Sequence, residues 1–292
     1  MIYKTGVVIV NYNKSELIRE IVGIFSNYTS ISNIAVVDNN STDNAKSILH
    51  SLESDKVKII YSETNGGYAK GNNIGLKYLW KEKECNICFV VNPDVYFGEV
   101  VITTVVDYMI KNPQYAIMTC AQIDPLKNGP SCQYGKMIFD TFWLQFLYYF
   151  NLPRHYYILP KYYAYSYDKN YKGIIDIKEA LGSFYGIRMN CFDYGVVLDE
   201  GTFLYWEEQI LSYRVRARGY KIGYVSCCTY EHRHIQYSAT ANTKSLTLLK
   251  YSLQSQRHFQ NEYLHFNKVQ RLLVRIAEMI SLVERWFIMR IK

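Results

Sequence analysis

Two oxygen-bearing side chains follow an apolar run and are separated only by a proline. The run 87–91 reads Ile-Cys-Phe-Val-Val, which predicts a buried strand. Pro93 ends it, because proline has no N–H to donate to a neighbouring strand. Asn92 and Asp94 therefore lie at the carboxyl end of a strand, where open α/β sheets bind ligands. Their oxygen atoms suit a divalent cation that carries a phosphorylated substrate; a simple turn is the alternative interpretation.

A pair of adjacent carboxylates, Glu207 and Glu208, follows Trp206. Neighbouring side chains point in different directions, so one of the two is expected to act as a general base. A second carboxylate and an aromatic ring nearby tend to raise the pKa of a carboxyl group, which helps it accept a proton near neutral pH. The alternative is an acidic helix N-terminus, which the helix dipole stabilises.

The first hundred residues alternate apolar runs with helix-like segments. Strand, helix, strand at this spacing implies right-handed crossovers and a mostly parallel sheet. The glycine-rich loop at 65–73 lets a ligand approach the backbone closely, and a loop that only turns the chain is the alternative interpretation. A later segment, 231–234, reads Glu-His-Arg-His and suits a metal or phosphate contact, with a surface loop as the alternative. The predicted strands are 6–10, 34–37, 57–61 and 87–91.

Composition places the chain among globular proteins with one large domain, or one and a half. It has 292 residues, of which 49% are hydrophobic and 20% are charged, and its net charge is +7. The seven cysteines show no framework spacing, which favours a reducing cytoplasm. Cys85 and Cys88 run into a strand, so we interpret them as packing residues rather than a redox pair. We expect no signal peptide and no membrane span, which needs about 20 apolar residues.

Two regions bear on binding partners. Residues 139–171 hold 14 aromatic side chains in 33 positions, which indicates either a lid packed on the core or a surface that meets lipid headgroups or sugar rings. The C-terminal part predicts an amphipathic helix with basic residues between its apolar positions. Such a helix packs on the domain, lies in a membrane interface or mediates a dimer. The apolar positions are Val269, Leu272, Leu273, Ile276, Met279, Ile280, Val283 and Phe287.

Taken in order, these motifs resemble family 2 of the nucleotide-sugar glycosyltransferases, of the type called GT-A, over residues 5–240. Asn92 and Asp94 stand where that family has an Asp-x-Asp metal motif, and Glu207 and Glu208 stand where it has a Glu-Asp pair. The Asn-Pro-Asp and Trp-Glu-Glu forms are similar to enzymes that build bacterial surface polysaccharides, including rhamnosyltransferases. The other matching segments are 10–13, 36–43, 65–73, 181–188, 204–208 and 214–220, with His232 or His234 after them.

The resemblance implies an α/β fold of the GT-A, Rossmann-like type. A mostly parallel central sheet flanked by helices is expected, with a helical C-terminal extension. The catalytic domain would span residues 1–240, with a nucleotide-binding half at 1–100 and an acceptor-binding half at 101–240. The acceptor-binding half would contain the aromatic insertion 136–172. Residues 241–292 would form the amphipathic helical region.

The resemblance also assigns roles to single residues. Glu208 takes the position of the catalytic base, with Glu207 as the alternative, because Glu replaces the family's Asp there. Asn92 replaces the first Asp of the metal motif, which removes one negative charge and weakens the expected metal affinity. The implied ligands of Mg²⁺ or Mn²⁺ are Asp94, His232 and His234. The acceptor is expected at Gly182, Ser183 and Trp206. The nucleotide is expected at Asn11, Tyr12, Asn13, Asp38, Asn40, Gly66, Gly67, Lys70, Asn72 and Asn92.

The sequence thus predicts a metal-dependent, inverting glycosyltransferase that uses a UDP- or dTDP-sugar. Its expected acceptor is a glycan, on a lipid carrier, at the cytoplasmic face of the membrane, with the C-terminal helix on the membrane surface. A homodimer through that helix is an alternative. Two rival functions remain. One is a processive or polyprenyl-phosphate sugar synthase, because segment 254–258 resembles the Gln-x-x-Arg-Trp motif of processive synthases, with His in place of Trp. The other is a non-catalytic nucleotide-sugar or glycan-binding module. Nucleic acid is not expected as a partner, because the basic residues lie on an amphipathic tail.

Overall fold

The computed structural model describes residues 3–43, 45–123, 140–158, 171–233 and 241–291. These residues form one nine-stranded sheet with helices on both faces. Along the sheet the strands follow the order β3-β2-β1-β4-β8-β6-β9-β5, and β7 pairs with β9. The strands are β1 (Thr5–Asn11), β2 (Asn33–Asp38), β3 (Val57–Tyr61), β4 (Ile87–Val91), β5 (Val95–Tyr96), β6 (Tyr115–Ile123), β7 (Ile174–Ile177), β8 (Phe184–Arg188) and β9 (Lys221–His232).

Helices connect most of these strands and extend beyond the last one. Within the described ranges, no helix is both long enough and apolar enough to cross a membrane. Short 3₁₀ turns occur at Met189–Cys191 and Asp193–Gly195, and a π-helical turn at Arg154–Ile158. The α-helices are α1 (Ser15–Phe25), α2 (Ala45–His50), α3 (Gly67–Lys81), α4 (Glu99–Lys111), α5 (Phe142–Tyr148), α6 (Asn151–Pro153), α7 (Glu207–Ala217), α8 (Ala241–Glu262) and α9 (Lys268–Ile291).

The first half of the sheet is parallel. β2 pairs with β3 and β1, and β1 pairs with β4, all in parallel register, so the carboxyl ends of four strands share one edge. Beyond β4 the pairing changes, because β8 runs antiparallel to both β4 and β6. The predicted α/β fold with a flanked central sheet is confirmed, and its parallel character is concentrated where strands and helices alternate along the chain.

The core lies on both faces of the sheet. Along β1, Val7 and Ile9 face the layer made by α1 and α4, whereas Val8 faces the layer made by α3 and α7. Every residue of β4 is buried, as expected for a central strand covered on both sides. This packing fixes β1 and β4, so the polar residues that follow them are held on a rigid edge.

The C-terminal helices form a second packing unit with α5. Phe266 and Val274 pack with Tyr149 and Leu253, and the ion pair between Arg257 of α8 and Glu278 of α9 joins the two helices. Beside Val274, the buried side of α9 carries small or polar residues, namely Ala277, Glu278 and Ser281. The predicted apolar stripe faces outward instead, with relative exposures of 37–66% at Val269, Leu272, Leu273, Ile276, Met279, Ile280, Val283 and Phe287.

Candidate active site

A cavity of about 460 Å³ opens at the carboxyl ends of β1 and β4. The loop between β1 and α1, the turn after β4 and the start of α3 form three of its walls. The segment before α7 and one side of α8 complete it. The lining residues are Val10, Tyr12, Lys14, Asn39, Asn65, Gly67, Tyr68, Asn72, Val91, Asn92, Pro93, Asp94, Phe203, Leu204, Leu248 and Tyr251.

Asp94 lies between two side chains that are basic or can become so. Its Oδ1 is 3.1 Å from Nε2 of His232, and its Oδ2 is 3.6 Å from Nζ of Lys14. The short strand β5 explains this meeting, because Val95 pairs with His232 in antiparallel register. The backbone N–H of Arg233 also donates to the carbonyl of Asp94. A carboxylate and an imidazole from distant parts of the sequence are thereby fixed together at the cavity wall.

The charge state of Asp94 follows from competing influences. Burial acts to raise the pKa of its carboxyl group, but the hydrogen bond to His232 and the charge of Lys14 outweigh burial, so the pKa of Asp94 is lowered. Asp94 is therefore ionised throughout the neutral range. The turn that presents it is closed by the N–H of Val95, which donates to the carbonyl of Asn92.

The donor atoms around Asp94 fit a divalent cation that shares its coordination with a substrate. The carboxylate of Asp94 and the imidazole of His232 are in contact, and the amide of Asn92 lines the same cavity. In the described part of the chain, no three or more His, Cys, Asp and Glu residues cluster to enclose a metal. Mg²⁺ commonly takes one or two carboxylates and completes its shell with phosphate and water oxygens. His234, the other predicted ligand, lies outside the described residues.

The two glutamates at the start of α7 have different surroundings. Glu207 is only 2% exposed, and its Oε1 has no hydrogen-bond partner among the described residues. Glu208 is partly exposed and lies against Gly182. The hydroxyl of Tyr68, which lines the cavity, donates to the carbonyl of Gly182. Glu208 is therefore linked through Gly182 to Tyr68 of the cavity wall, whereas Glu207 is buried in the protein.

Burial raises the pKa of both glutamates, and the charge of Glu208 raises that of Glu207 further. A third carboxyl group, Glu179, adds to this cluster. Its Oε2 is buried without a hydrogen-bond partner, and burial followed by the charge of Glu208 raises its pKa well above the usual range. The cluster holds carboxyl groups that take up protons more readily than exposed ones do, as proton transfer requires.

The turn that leads into this cluster has an unusual backbone. Tyr205 and Trp206 both have φ of 71°, in the left-handed region that side chains other than glycine rarely adopt. Two such residues in succession are costly and need support from the surrounding structure. Trp206 provides some of it, since its ring is buried against Ile210 and Phe259. The helix α7 begins at Glu207, directly after this strained turn.

The structure places the predicted nucleotide-binding residues in three groups. Tyr12, Gly67, Asn72 and Asn92 line the cavity. Asn11 and Asp38 lie beneath it and bind each other, with Nδ2 of Asn11 2.9 Å from Oδ1 of Asp38. Asp38 also accepts bonds from the hydroxyl and N–H of Ser41, so its carboxylate holds the two loops together. The remaining four, Asn13, Asn40, Gly66 and Lys70, lie outside the lining.

Gly67 serves the protein as well as the cavity. Its φ is 84°, and a β-carbon there would overlap the carbonyl of Phe203. The N–H of Tyr68 donates to that same carbonyl at 2.9 Å. The sequence predicts that a ligand approaches the backbone closely at this glycine, but the close neighbour in the structure is the backbone of Phe203. This contact holds the start of α3, with Tyr68, against the segment that leads into α7.

The predicted acceptor residues are partly hidden. The hydroxyl of Ser183 is 2.8 Å from the hydroxyl of Tyr230 and is buried. Trp206 packs in the core of the C-terminal unit, and its Nε1 donates to Ser252. Gly182 lies against the carboxylate of Glu208.

Several lining residues were not found from the sequence. Lys14 lies in the same loop as Tyr12, and its place just after the carboxyl end of β1 could have indicated that it lines the cavity. Asn39 and Asn65 bind each other through their side chains at 2.9 Å. Leu248 and Tyr251 come from α8, and no motif near them pointed to the cavity. The C-terminal extension thus contributes directly to the site.

Comparison with known proteins gives a family match. The sequence model described as "Glycosyl transferase family 2" matches residues 6–172. The low-salt glycan biosynthesis hexosyltransferase Agl10 of Haloferax volcanii is 25% identical over 298 residues, which cover 99% of this chain and 85% of that protein.

Three solved structures share the fold. TarS 1-349 of S. aureus in complex with UDP-GlcNAc has a TM-score of 0.57 at 14% identity, and the match covers 88% of this chain and 67% of TarS 1-349. GalNAc-T7 with UDP, GalNAc and Mn²⁺ has a TM-score of 0.61 at 14% identity, with coverages of 89% and 48%. The mannosyltransferase PcManGT from Pyrobaculum calidifontis, with GDP-Man and Mn²⁺, has a TM-score of 0.57 at 11% identity, with coverages of 96% and 73%.

At these identities the structural likeness speaks for the fold alone, and it confirms the predicted GT-A type. The family match is broader evidence, because it spans more than half of the chain. It includes the loop after β1, the turn after β4 and the start of α3, which form three of the cavity walls. The chain belongs to glycosyl transferase family 2.

Proposed function

We propose that this protein transfers a hexose from a nucleoside-diphosphate donor to a glycan acceptor in glycan biosynthesis. The observation that carries the proposal is that Asp94 and Tyr68 line one cavity, and that the hydroxyl of Tyr68 donates to the carbonyl of Gly182, beside Glu208. The surroundings of Asp94 suit a diphosphate and its cation, and the Glu208 cluster suits the removal of a proton. The names of the relatives, a hexosyltransferase and two proteins bound to nucleotide sugars, support this assignment.

The donor would lie with its diphosphate near Asp94. Tyr12, which is 47% exposed at the cavity, offers a ring face for stacking on the base. Asp94, His232 and Asn92 would hold Mg²⁺ or Mn²⁺, which neutralises the charge that develops on the leaving diphosphate. UDP- and dTDP-sugars, including dTDP-rhamnose, are the donors that we would test first.

Glu208 is the proposed base. It would accept the proton of the acceptor hydroxyl as that oxygen attacks the anomeric carbon. Direct attack opposite the leaving diphosphate inverts the configuration and needs no covalent intermediate. Glu208 is the more accessible of the pair, and its raised pKa improves its strength as a base at neutral pH. Buried Glu207 would then act through its effect on Glu208.

The acceptor is proposed to be a lipid-linked glycan at the cytoplasmic face of a membrane. The exposed apolar stripe of α9 supports this location, because it is flanked by the exposed basic residues Lys268, Arg271 and Arg275. The two acidic residues of α9, Glu278 and Glu284, instead contact Arg257 and the backbone of Asn151. An apolar stripe with cations along its edge matches an anionic bilayer surface better than it matches a second, equally basic copy.

Donor turnover tests the reaction. Release of nucleoside diphosphate is measured across UDP- and dTDP-sugars with Mn²⁺, Mg²⁺ or EDTA, with a lipid-linked acceptor extract, for the wild type and Glu208→Gln. Metal-dependent release from one donor, abolished in the variant, is expected. Binding of a donor without turnover under every condition would show a non-catalytic binding module instead.

Vesicle flotation tests the membrane surface. The wild type should float with vesicles that contain phosphatidylglycerol and should remain behind with purely zwitterionic vesicles. Ile276→Glu should abolish flotation, whereas Gln254→Glu on the exposed side of α8 should leave it unchanged. If Ile276→Glu turns a dimer into a monomer and the wild type never floats, the stripe is a dimer interface and the membrane proposal is wrong.

A further inference from the structure

One positive charge is built into the donor cavity. Among the described residues that line it, Lys14 is the cation and Asp94 is the anion. Lys14 is 27% exposed, and its Nζ lies 3.6 Å from Oδ2 of Asp94. A phosphate group near Asp94 would consequently lie within a few ångströms of the Lys14 ammonium.

The backbone holds Lys14 at this place. Its N–H donates to Oδ1 of Asn11 at 3.1 Å, and its carbonyl accepts the N–H of Ile18 in the first turn of α1. Asn11 in turn binds Asp38 beneath the cavity. The base of the Lys14 side chain is therefore tied to the ends of β1 and β2, while its ammonium reaches Asp94 at the cavity wall.

The charge of the motif after β4 changes what this lysine can do. Because the position before Pro93 is Asn92, the turn carries one carboxylate where an Asp-x-Asp motif carries two. With one carboxylate beside one ammonium, the pair has no net charge. The wall therefore attracts a metal ion less strongly and repels a diphosphate less strongly than two carboxylates would.

We propose that Lys14 binds the donor diphosphate directly and gives this protein a component of donor affinity that does not depend on the metal. The inference rests on the proposed function. Asp94 would orient the ammonium before the donor arrives, and the ammonium would then donate to phosphate oxygens beside Asp94. Hydrogen bonds between charged groups are among the stronger polar contacts in proteins.

Calorimetry with UDP tests the proposal, with dTDP and GDP as replacements if the wild type does not bind UDP. Lys14→Met should weaken UDP binding about ten- to a hundredfold, in Mn²⁺ and also in EDTA. Binding of uridine, which has no phosphate, should stay unchanged. Lys14→Arg should keep most of the UDP affinity. Lys46→Met, on the exposed side of α2, makes the same change in net charge and should have no effect.

Three outcomes separate the explanations. Equal weakening of UDP and uridine in Lys14→Met would mean that Lys14 only supports the fold of the cavity, and the proposal would be wrong. Wild-type binding of UDP that disappears entirely in EDTA would also overturn it, since no metal-independent component would remain. If the wild type binds none of the three nucleoside diphosphates, the proposed function itself is rejected.

Discussion

Glu208 lies so close to Gly182 that a β-carbon on the glycine would overlap its carboxylate. The carbonyl of Gly182 is also held by the hydroxyl of Tyr68. Gly182→Ala should therefore displace the proposed base while the buried strands stay intact. We expect a loss of kcat of at least about tenfold with little change in donor affinity, because misplacing a reacting group by a small distance is costly.

Steady-state kinetics and donor calorimetry check this expectation. Gly23→Ala is the matched control, since no atom lies within 4 Å of the added carbon on α1. Unchanged kcat in Gly182→Ala would show that Glu208 can move away without loss, which contradicts its proposed role.

The acidic side of the pH–rate profile should report Glu208. A base must be ionised to act, and burial raises the pKa of Glu208 above its usual value of 4.5. Activity should consequently fall as the pH drops through this raised pKa. Glu208→Gln should lower kcat by about 10²- to 10⁴-fold and remove the acidic limb.

Glu207→Gln is the comparison for that profile. It should keep the acidic limb, because the group that ionises is still present. If instead Glu207→Gln removes the limb and Glu208→Gln keeps it, the roles of the two residues are exchanged.

Glu179 should make the protein less stable as the pH rises. Burial and the charge of Glu208 raise its pKa in the folded state, so the folded protein keeps a proton that the unfolded chain releases above the ordinary carboxyl pKa of 4.5. Its contribution is thus fully present below that pH and is lost as the pH rises toward the folded-state pKa. Glu179→Gln should have a flatter dependence of the free energy of unfolding on pH.

Urea unfolding at pH 4.5, 6 and 8 measures this dependence. The wild type should lose stability relative to Glu179→Gln as the pH increases, with the two closest at pH 4.5. Parallel curves for the two proteins would show that Glu179 has the same pKa in the folded and unfolded states.

Arg257→Met should loosen α9 from α8. Glu278 would be left largely buried without its cation. Breaking a fully buried ion pair costs about 3–5 kcal/mol. We expect a smaller loss of stability here, because the side chain of Arg257 is 26% exposed. The double variant Arg257→Met, Glu278→Met should recover most of the stability. Urea unfolding of the single and double variants tests this, and an Arg257→Met variant as stable as the wild type would show that packing alone joins the two helices.

The strand before the Asn-Pro-Asp turn could be predicted to the residue. The apolar run 87–91 is β4, Ile87–Val91, because five buried apolar residues followed by a proline leave little choice of structure. The position of Asp94 at the sheet edge follows directly. The residue types at 231–234 suggest a metal or phosphate contact for its partner His232 but not the contact with Asp94, since the pairing of β5 with β9 leaves no trace in either segment alone.

Contacts between distant helices could not be predicted. Trp206 was expected at the acceptor, but Ser252 and Phe259 of α8 cover its ring. The periodicity of α9 predicted a helix correctly but gave no indication of which side faces inward. The buried side of α9 is determined by small residues such as Ala277 and by the ion pair of Glu278 with Arg257. Both contacts depend on the position of α8, which the sequence of α9 does not contain.

The pairing of β5 with β9 also has a kinetic consequence. Asp94 and His232 are 138 positions apart in sequence, whereas β1 to β4 assemble through short crossovers within the first 91 residues. Contacts between distant segments form slowly, because a long loop must close before they are made. During refolding, the parallel half of the sheet should acquire its structure well before the protein gains the ability to bind a nucleotide diphosphate, so ligand binding would mark the last step of folding.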